Sequence, residues 1–148
     1  MIKTMLIFAV VFLAAVTTAP AQTPADATAI KQTALDYIEG WYEGNAERME
    51  RALHPELAKR IVQTDAASGR SRLGQMSALT LVQATRSGGG KQTPKENQQK
   101  DVTILDTFEN AACVKVVATD WVDYLQMAKW NGRWVIVNVL WELKPKTK

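Results

Sequence analysis

The stretch from Lys129 to Trp141, KWNGRWVIVNVLW, constrains the fold more than any other part of the chain. Its Asn131-Gly132 pair lies between two apolar runs, and Asn-Gly favours the tight turn of a β-hairpin because both turn residues need positive φ. The run after the turn is apolar at odd and even positions alike. A strand that is apolar on both sides must be covered on both sides. The sequence therefore predicts a hairpin buried between two layers.

Counting outward from a two-residue turn assigns each hairpin side chain to one of two faces. One face is predicted to turn inward, toward helices and a pocket: Tyr124, Gln126, Ala128, Trp130, Arg133, Val135, Val137, Val139 and Trp141. The other is predicted to turn outward: Asp123, Leu125, Met127, Lys129, Trp134, Ile136, Asn138, Leu140 and Glu142. A β-bulge would exchange the two sets locally. Because the outward set is too apolar for monomer surface, we expect a homodimer formed through it.

Helices are predicted to precede this hairpin. From Ala25 to Gly44 apolar residues recur every three or four positions, which is the stripe of an amphipathic helix. Gly44 suits a left-handed C-cap, and Asn45 suits the N-cap of a second, shorter helix. Pro55 should end that second helix near His54.

The rest of the chain is predicted to alternate between loops, one more helix and strands. The segments are a strand or irregular connection at 57–62, a third helix at 73–85, a flexible glycine-rich loop at 86–100 and four antiparallel strand segments from 101 onward. Helices followed by an antiparallel meander make an α+β arrangement. Residues 22–148 are expected to form a single domain.

The first residues have the features of a secretory signal peptide. Lys3 supplies a positive start, an apolar run covers 5–16, and Ala19-Pro20-Ala21 fits the cleavage pattern. We expect a signal peptide at 1–21, cleavage before Gln22, and a secreted or periplasmic protein that does not contact the membrane afterwards. The alternative is an uncleaved N-terminal anchor, although the run is shorter than the ~20 residues of a membrane span.

Composition argues against several classes of function. The net charge of +3 comes from scattered residues, so no nucleic-acid partner is expected. Cys113 is the only cysteine, which excludes an intramolecular disulfide, and its apolar neighbours favour a buried side chain over a reactive thiol. With a single histidine and scattered carboxylates, neither a metal site nor any cofactor is predicted.

Several motifs together resemble those of a known superfamily. The segments YIEGWYEGN, LHPE and DYLQMAKWNGRWVIVNVLW resemble the nuclear transport factor 2-like superfamily, and within it the putative lumazine-binding subgroup. The resemblance covers roughly 30–143. It implies a cone-shaped α+β fold in which N-terminal helices pack on a curved antiparallel sheet and enclose a pocket, in a dimer packed through the outer sheet face.

The superfamily includes a ketosteroid isomerase and polyketide cyclases, so the resemblance also bears on catalysis. It places Tyr37 at the position of the isomerase's oxyanion-hole tyrosine and Gln126 at that of its protonated acid. The general-base aspartate falls near Ile61, where this chain has no carboxylate. An isomerase mechanism is therefore poorly supported, although Tyr37 and Gln126 could still bind a ligand carbonyl.

These considerations give a set of candidate ligand-binding residues, with no catalytic residue assigned: Tyr37, Trp41, His54, Met76, Asp120, Tyr124, Gln126 and Trp141. Aromatic walls suit a small, flat, hydrophobic or aromatic ligand. Three functions stay open at this point. They are a small-molecule-binding domain, an enzyme acting on a carbonyl compound with Tyr37 as donor and Asp120 or His54 as base, and a structural dimer whose pocket is filled by its own side chains.

Overall fold

The computed structural model describes residues 23–145 and shows three α-helices and six β-strands. The predicted signal peptide at 1–21 lies outside the described residues. The helices are α1 Pro24–Glu43, α2 Ala46–Ala52 and α3 Ala78–Arg86, and a short 3₁₀ helix covers Lys95–Asn97. The strands are β1 Leu53–Thr64, β2 Ser71–Ser77, β3 Lys100–Phe108, β4 Ala111–Ala118, β5 Trp121–Trp130 and β6 Arg133–Leu143.

The six strands form one sheet in the order β2-β1-β6-β5-β4-β3. Neighbours are antiparallel except β1 and β6, which run parallel, so the sheet is mixed rather than wholly antiparallel. The parallel pair arises because β1 comes directly after α2 and joins the last strand of the meander. The three helices pack on the sheet around one apolar core, and the predicted α+β fold is confirmed.

Local signals set the helix boundaries close to their predicted positions. Gly44 ends α1 with φ of 65°, and the Asn45 side chain accepts a hydrogen bond from the Arg48 backbone N–H at the start of α2. The predicted third helix is wrong over its first residues, because 71–77 pair with β1 as strand β2. Helix α3 starts only at Ala78, where the Ser77 hydroxyl caps it.

Helix α1 is fixed to the β5–β6 hairpin by its first turn. The Asp26 carboxylate accepts hydrogen bonds from Lys129 Nζ at 2.9 Å and from Trp134 Nε1 at 2.8 Å. These two bonds, with a third from the Thr23 hydroxyl, lower the pKa of Asp26 to about 2. Thr33 Oγ1 adds a bond to the Trp134 carbonyl oxygen at 3.0 Å. Trp134 therefore faces the helices.

The hairpin register is as predicted from the turn to the Met127–Ile136 pair and shifts beyond it, and the assignment of the faces is largely reversed. Asn131 and Gly132 have φ of 49° and 78°, and Trp130 pairs with Arg133. Four residues predicted to face outward are buried in the helix-covered core: Leu125, Met127, Trp134 and Ile136. Turn geometry fixes which residues share a face, whereas helix packing decides which face is covered. Cys113, predicted to be buried, is exposed on the opposite face.

A β-bulge in β6 changes which face of the sheet the last residues of the strand occupy. Met127 pairs with Ile136 and Gln126 pairs with Asn138, so Val137 is the extra residue. Beyond this bulge the alternation changes phase. Val139 and Trp141 consequently contact the core as predicted, and Leu140 is exposed on the outer face as predicted.

Candidate functional site

A cavity of about 260 Å³ lies between the helices and one end of the sheet. Its lining is mainly apolar and aromatic: Tyr37, Ile38, Trp41, Met49, Lys59, Met76, Leu81, Asp120, Trp121, Trp141 and Leu143. The tyrosine and one tryptophan come from α1, because a spacing of four residues places Tyr37 and Trp41 on one side of a helix. The other two tryptophans come from β5 and β6.

The tryptophans of the cavity are held by close packing. Trp41 and Trp121 meet edge to face with ring centroids 6.3 Å apart. The glycine-rich loop lies against Trp41, since a Cβ on Gly90 would come within 2.3 Å of the Trp41 carbonyl oxygen. A Cβ on Gly89 would meet the Trp41 ring at 2.5 Å. These glycines therefore allow a close approach that other residues would prevent.

A buried polar cluster lies at one wall of the cavity: Lys59, Tyr37 and Trp121 line the cavity, and Asp123 lies behind them. Lys59 Nζ donates to Asp123 Oδ1 at 2.5 Å and to the Tyr37 hydroxyl at 2.6 Å. Tyr37 in turn donates to Asp123 Oδ2 at 3.2 Å, and Trp121 Nε1 donates to the same oxygen at 2.6 Å. Lys59, Asp123 and Tyr37 are all nearly inaccessible to solvent. This is a desolvated ion pair supported by two neutral donors.

Burial governs the protonation of this cluster. It raises the pKa of Tyr37 well above its usual value, and the negative charge of Asp123 raises it further, so Tyr37 stays a neutral phenol. Burial also lowers the pKa of Lys59, an effect that Asp123 opposes. The ammonium lies 4.8 Å from the centroid of the Trp141 ring, within cation–π range. Lys59 is thus the one basic side chain on the wall of an apolar cavity.

Five of the eight candidate residues line this cavity: Tyr37, Trp41, Met76, Asp120 and Trp141. Asp120 is exposed in the turn between β4 and β5. It is therefore at the rim and far less desolvated than Asp123. The part of all five in ligand binding stays a prediction.

The other three candidates, His54, Tyr124 and Gln126, do not line it. Tyr124 and Gln126 lie on the outer face of the sheet. The helices cover the face of the hairpin that was predicted to turn outward, so the face of Tyr124 and Gln126 is left uncovered. His54 stacks edge to face on Trp130 at 5.0 Å, and its Nδ1 accepts a bond from the Glu56 N–H. The predicted position of His54 at the pocket mouth is therefore wrong.

Sequence reasoning missed Lys59 and Asp123, the most polar groups of the site. One signal was present for Lys59: it shares strand parity with Leu57 and Ile61, and all three are buried. A lysine at a core-facing position needs a partner, since an unpaired buried charge is costly. Asp123 was assigned to the outer face by the parity argument.

The geometry limits the chemistry of this site. Ile61, at the position implied for an isomerase base, is buried and cannot take a proton. The Tyr37 hydroxyl already donates to Asp123 and accepts from Lys59, so it is not free to donate to a ligand. Among residues 23–145 no group of three His, Cys, Asp or Glu side chains could hold a metal ion. No helix within the same residues is long and apolar enough to span a membrane.

Comparison with known proteins gives one family match. The sequence model of the family described as "Putative lumazine-binding" matches residues 25–142, which is most of the chain. None of the curated proteins matches.

Solved structures with the same fold are numerous but distant in sequence. A protein of unknown function from Shewanella baltica, described as nuclear transport factor 2-like, has a TM-score of 0.65 and 17% identity over 84% of this chain and 99% of its own. A similarly described protein from Methylobacillus flagellatus has a TM-score of 0.64 and 18% identity, over 84% and 97%. A ketosteroid isomerase-like protein from Erwinia carotovora atroseptica has a TM-score of 0.52 and 10% identity, over 83% and 100%. At these identities the likeness concerns the fold alone.

Proposed function

Because the chain belongs to the "Putative lumazine-binding" family of the nuclear transport factor 2-like superfamily, we propose that it is an exported domain that binds a small, flat, partly apolar molecule. The observation that carries this proposal is the cavity itself, which is lined by three tryptophans together with Tyr37 and Lys59 of the buried polar cluster. Apolar walls with a few convergent polar groups are typical of small-molecule sites.

The dimensions of the cavity favour a compact ligand. Its volume of about 260 Å³ lies just below the roughly 300–1,000 Å³ of sites for drug-sized molecules. One or two fused rings fit such a space, and aromatic rings stack favourably on tryptophan. Lumazine, the compound in the family's description, is a suitable first ligand to test because it is a planar molecule of two fused rings.

Filling the cavity should weaken this binding. Met76 lines the cavity, whereas Leu73 is exposed on the same strand, so Met76→Trp and Leu73→Trp add similar bulk in different places. We expect calorimetric titration with lumazine to show binding to the wild type and to Leu73→Trp, and at least about tenfold weaker binding to Met76→Trp. Equal affinity of both variants would place the ligand elsewhere.

Native mass spectrometry tests the same proposal without choosing a ligand. Protein purified from its own host is expected to carry a small molecule that is released on denaturation. An empty protein that also fails to bind lumazine would favour the structural alternative, in which side chains alone fill the interior.

Export is supported by the signal-like features of the first residues, Lys3, the apolar run and Ala19-Pro20-Ala21. In cell fractionation we expect the chain outside the cytoplasm, with an intact mass corresponding to a start at Gln22. A protein of full-length mass in the membrane fraction would instead indicate an uncleaved anchor.

Homodimer formation is the third part of the proposal, and the outer sheet face supports it. Large apolar side chains are about half exposed or more on this side of the strands: Leu105, Phe108, Tyr124, Trp130 and Leu140. A groove of about 440 Å³ runs between several of them, beside the hydrogen-bonded pair Arg60 and Asn138. A second copy of the same face would remove this patch from water.

A charge in the groove should prevent the dimer. Leu140→Glu places a carboxylate in the proposed interface, while Leu79→Glu adds the same charge to an exposed leucine on α3. Light scattering after size exclusion is expected to give twice the mature mass for the wild type and for Leu79→Glu, and the single mass for Leu140→Glu. A monomeric wild type at high concentration would refute the dimer.

A further inference from the structure

The groups around Lys59 are those expected around a reactive amine. Ligand binding alone would not require such an arrangement. Lys59 lines the cavity, and its Nζ lies 2.5 Å from Asp123 Oδ1. Asp123 is itself oriented by Trp121 Nε1 at 2.6 Å. A nucleophile within hydrogen-bond reach of a base that a third group orients is the usual arrangement for covalent chemistry.

We propose that Lys59 captures aldehydes or ketones that enter the cavity as a reversible imine. This inference rests on the proposed ligand-binding function of the same cavity and adds a covalent step to it. Burial lowers the pKa of Lys59, which favours the neutral, nucleophilic amine. The mainly apolar walls also offer few hydrogen-bond partners to the water that would hydrolyse the product.

The reaction balances with groups already present. The Lys59 ammonium gives one proton to the Asp123 carboxylate, and the free amine adds to the carbonyl carbon. The carbonyl oxygen takes the proton from Asp123, which leaves a carbinolamine that is protonated on nitrogen. Asp123 then removes a proton from the nitrogen and returns it to the hydroxyl, which leaves as water while the nitrogen lone pair forms the C=N bond. Ammonium and carbonyl compound thus give iminium and water, with no oxidant and no change of charge.

The surroundings stabilise the product as well as the reactant. The iminium keeps the positive charge of Lys59, so the attraction to Asp123 is retained, as is that to the Trp141 ring 4.8 Å away. A neutral product would have left Asp123 as an uncompensated buried charge. A carboxylate ligand, in contrast, would add a net negative charge to the cavity beside Asp120 at its rim. The site therefore favours neutral carbonyl compounds.

Reductive trapping tests this inference directly. The wild-type protein is incubated with 2-naphthaldehyde and sodium cyanoborohydride, whose hydride converts an iminium into a stable secondary amine. Peptide mapping by mass spectrometry then locates the added naphthylmethyl group. We expect Lys59 to be modified at least ~10-fold faster than any exposed lysine, a small part of the advantage that a well-oriented pair of groups can give.

Two variants and one competitor make the outcome decisive. Lys59→Arg keeps the charge but cannot form an imine, so fast labelling should disappear, whereas Lys115→Arg on the outer face should leave it unchanged. The competitor 2-methylnaphthalene has the same shape without the carbonyl and should slow labelling at Lys59 alone. If calorimetry shows that it binds but labelling occurs only on exposed lysines, the imine is refuted and the binding function stands. If neither this competitor nor lumazine binds and Lys59 is unlabelled, both are refuted.

Discussion

Replacing Lys59 by methionine is expected to lower the free energy of unfolding by about 3–5 kcal/mol, because it leaves the Asp123 carboxylate buried without its cation. Asp123 is fully buried and Lys59 nearly so, and solvent cannot replace the lost partner. Methionine approximates the length of the aliphatic stem, so little of the loss should come from packing. Urea unfolding followed by circular dichroism measures the change.

The matched control removes the orphaned charge while keeping a hydrogen-bond acceptor. In Lys59→Met combined with Asp123→Asn, the asparagine oxygen can still accept from Trp121 Nε1, and no carboxylate remains to be desolvated. We expect the double variant to recover most of the stability lost in the single one. If the double variant is as unstable as the single one, the loss comes from packing and not from the charge.

This pair also shows where sequence reasoning stops. Lys59 and Asp123 are separated by 64 positions and belong to different strands. In a sequence, each looks like the ordinary charged residue of a solvated face. Only the alternation of Leu57, Lys59 and Ile61 in β1 indicates that the lysine faces the core. No residue near it in the sequence indicates that Asp123 is its partner.

Features with a local physical cause were predictable. Gly44 and Asn45 delimit helices through backbone conformation and side-chain capping, and Asn131-Gly132 fixes the hairpin register through positive φ. The amphipathic stripe of α1 likewise placed Tyr37 and Trp41 on the side of the helix that packs on the core. Each of these depends on residues close together in the chain.

Features set by distant contacts were not predictable in the same way. Which face of the hairpin is covered depends on α1, whose Asp26 and Thr33 bond to Trp134 over more than a hundred positions. Strand β2 was mistaken for helix because its pairing with β1 cannot be read from its own apolar spacing. The bulge at Val137 depends on the partner strand as well.

Because of the bulge, alanine substitutions at two positions of β6 are expected to differ strongly in their effect on the free energy of unfolding. Ile136 and Leu140 share a face by simple alternation, but the extra residue at Val137 leaves Ile136 fully buried and Leu140 half exposed. Ile136→Ala should therefore cost about 2–5 kcal/mol through lost burial and a residual cavity. In the dissociated monomer, Leu140→Ala should change stability by no more than about 0.5 kcal/mol. Denaturant unfolding of both variants at low protein concentration measures this contrast.

The dependence of stability on protein concentration distinguishes effects on the fold of one chain from effects on the proposed homodimer. If the outer face forms a homodimer, raising the concentration stabilises the wild type by mass action, and Leu140→Ala should lose part of that gain. The cost of Ile136→Ala should not depend on concentration, because Ile136 packs within one chain. Equal costs of the two substitutions at low concentration would contradict the bulge. A cost of Leu140→Ala that stays small at every concentration would mean that this part of the outer face contributes nothing to an interface.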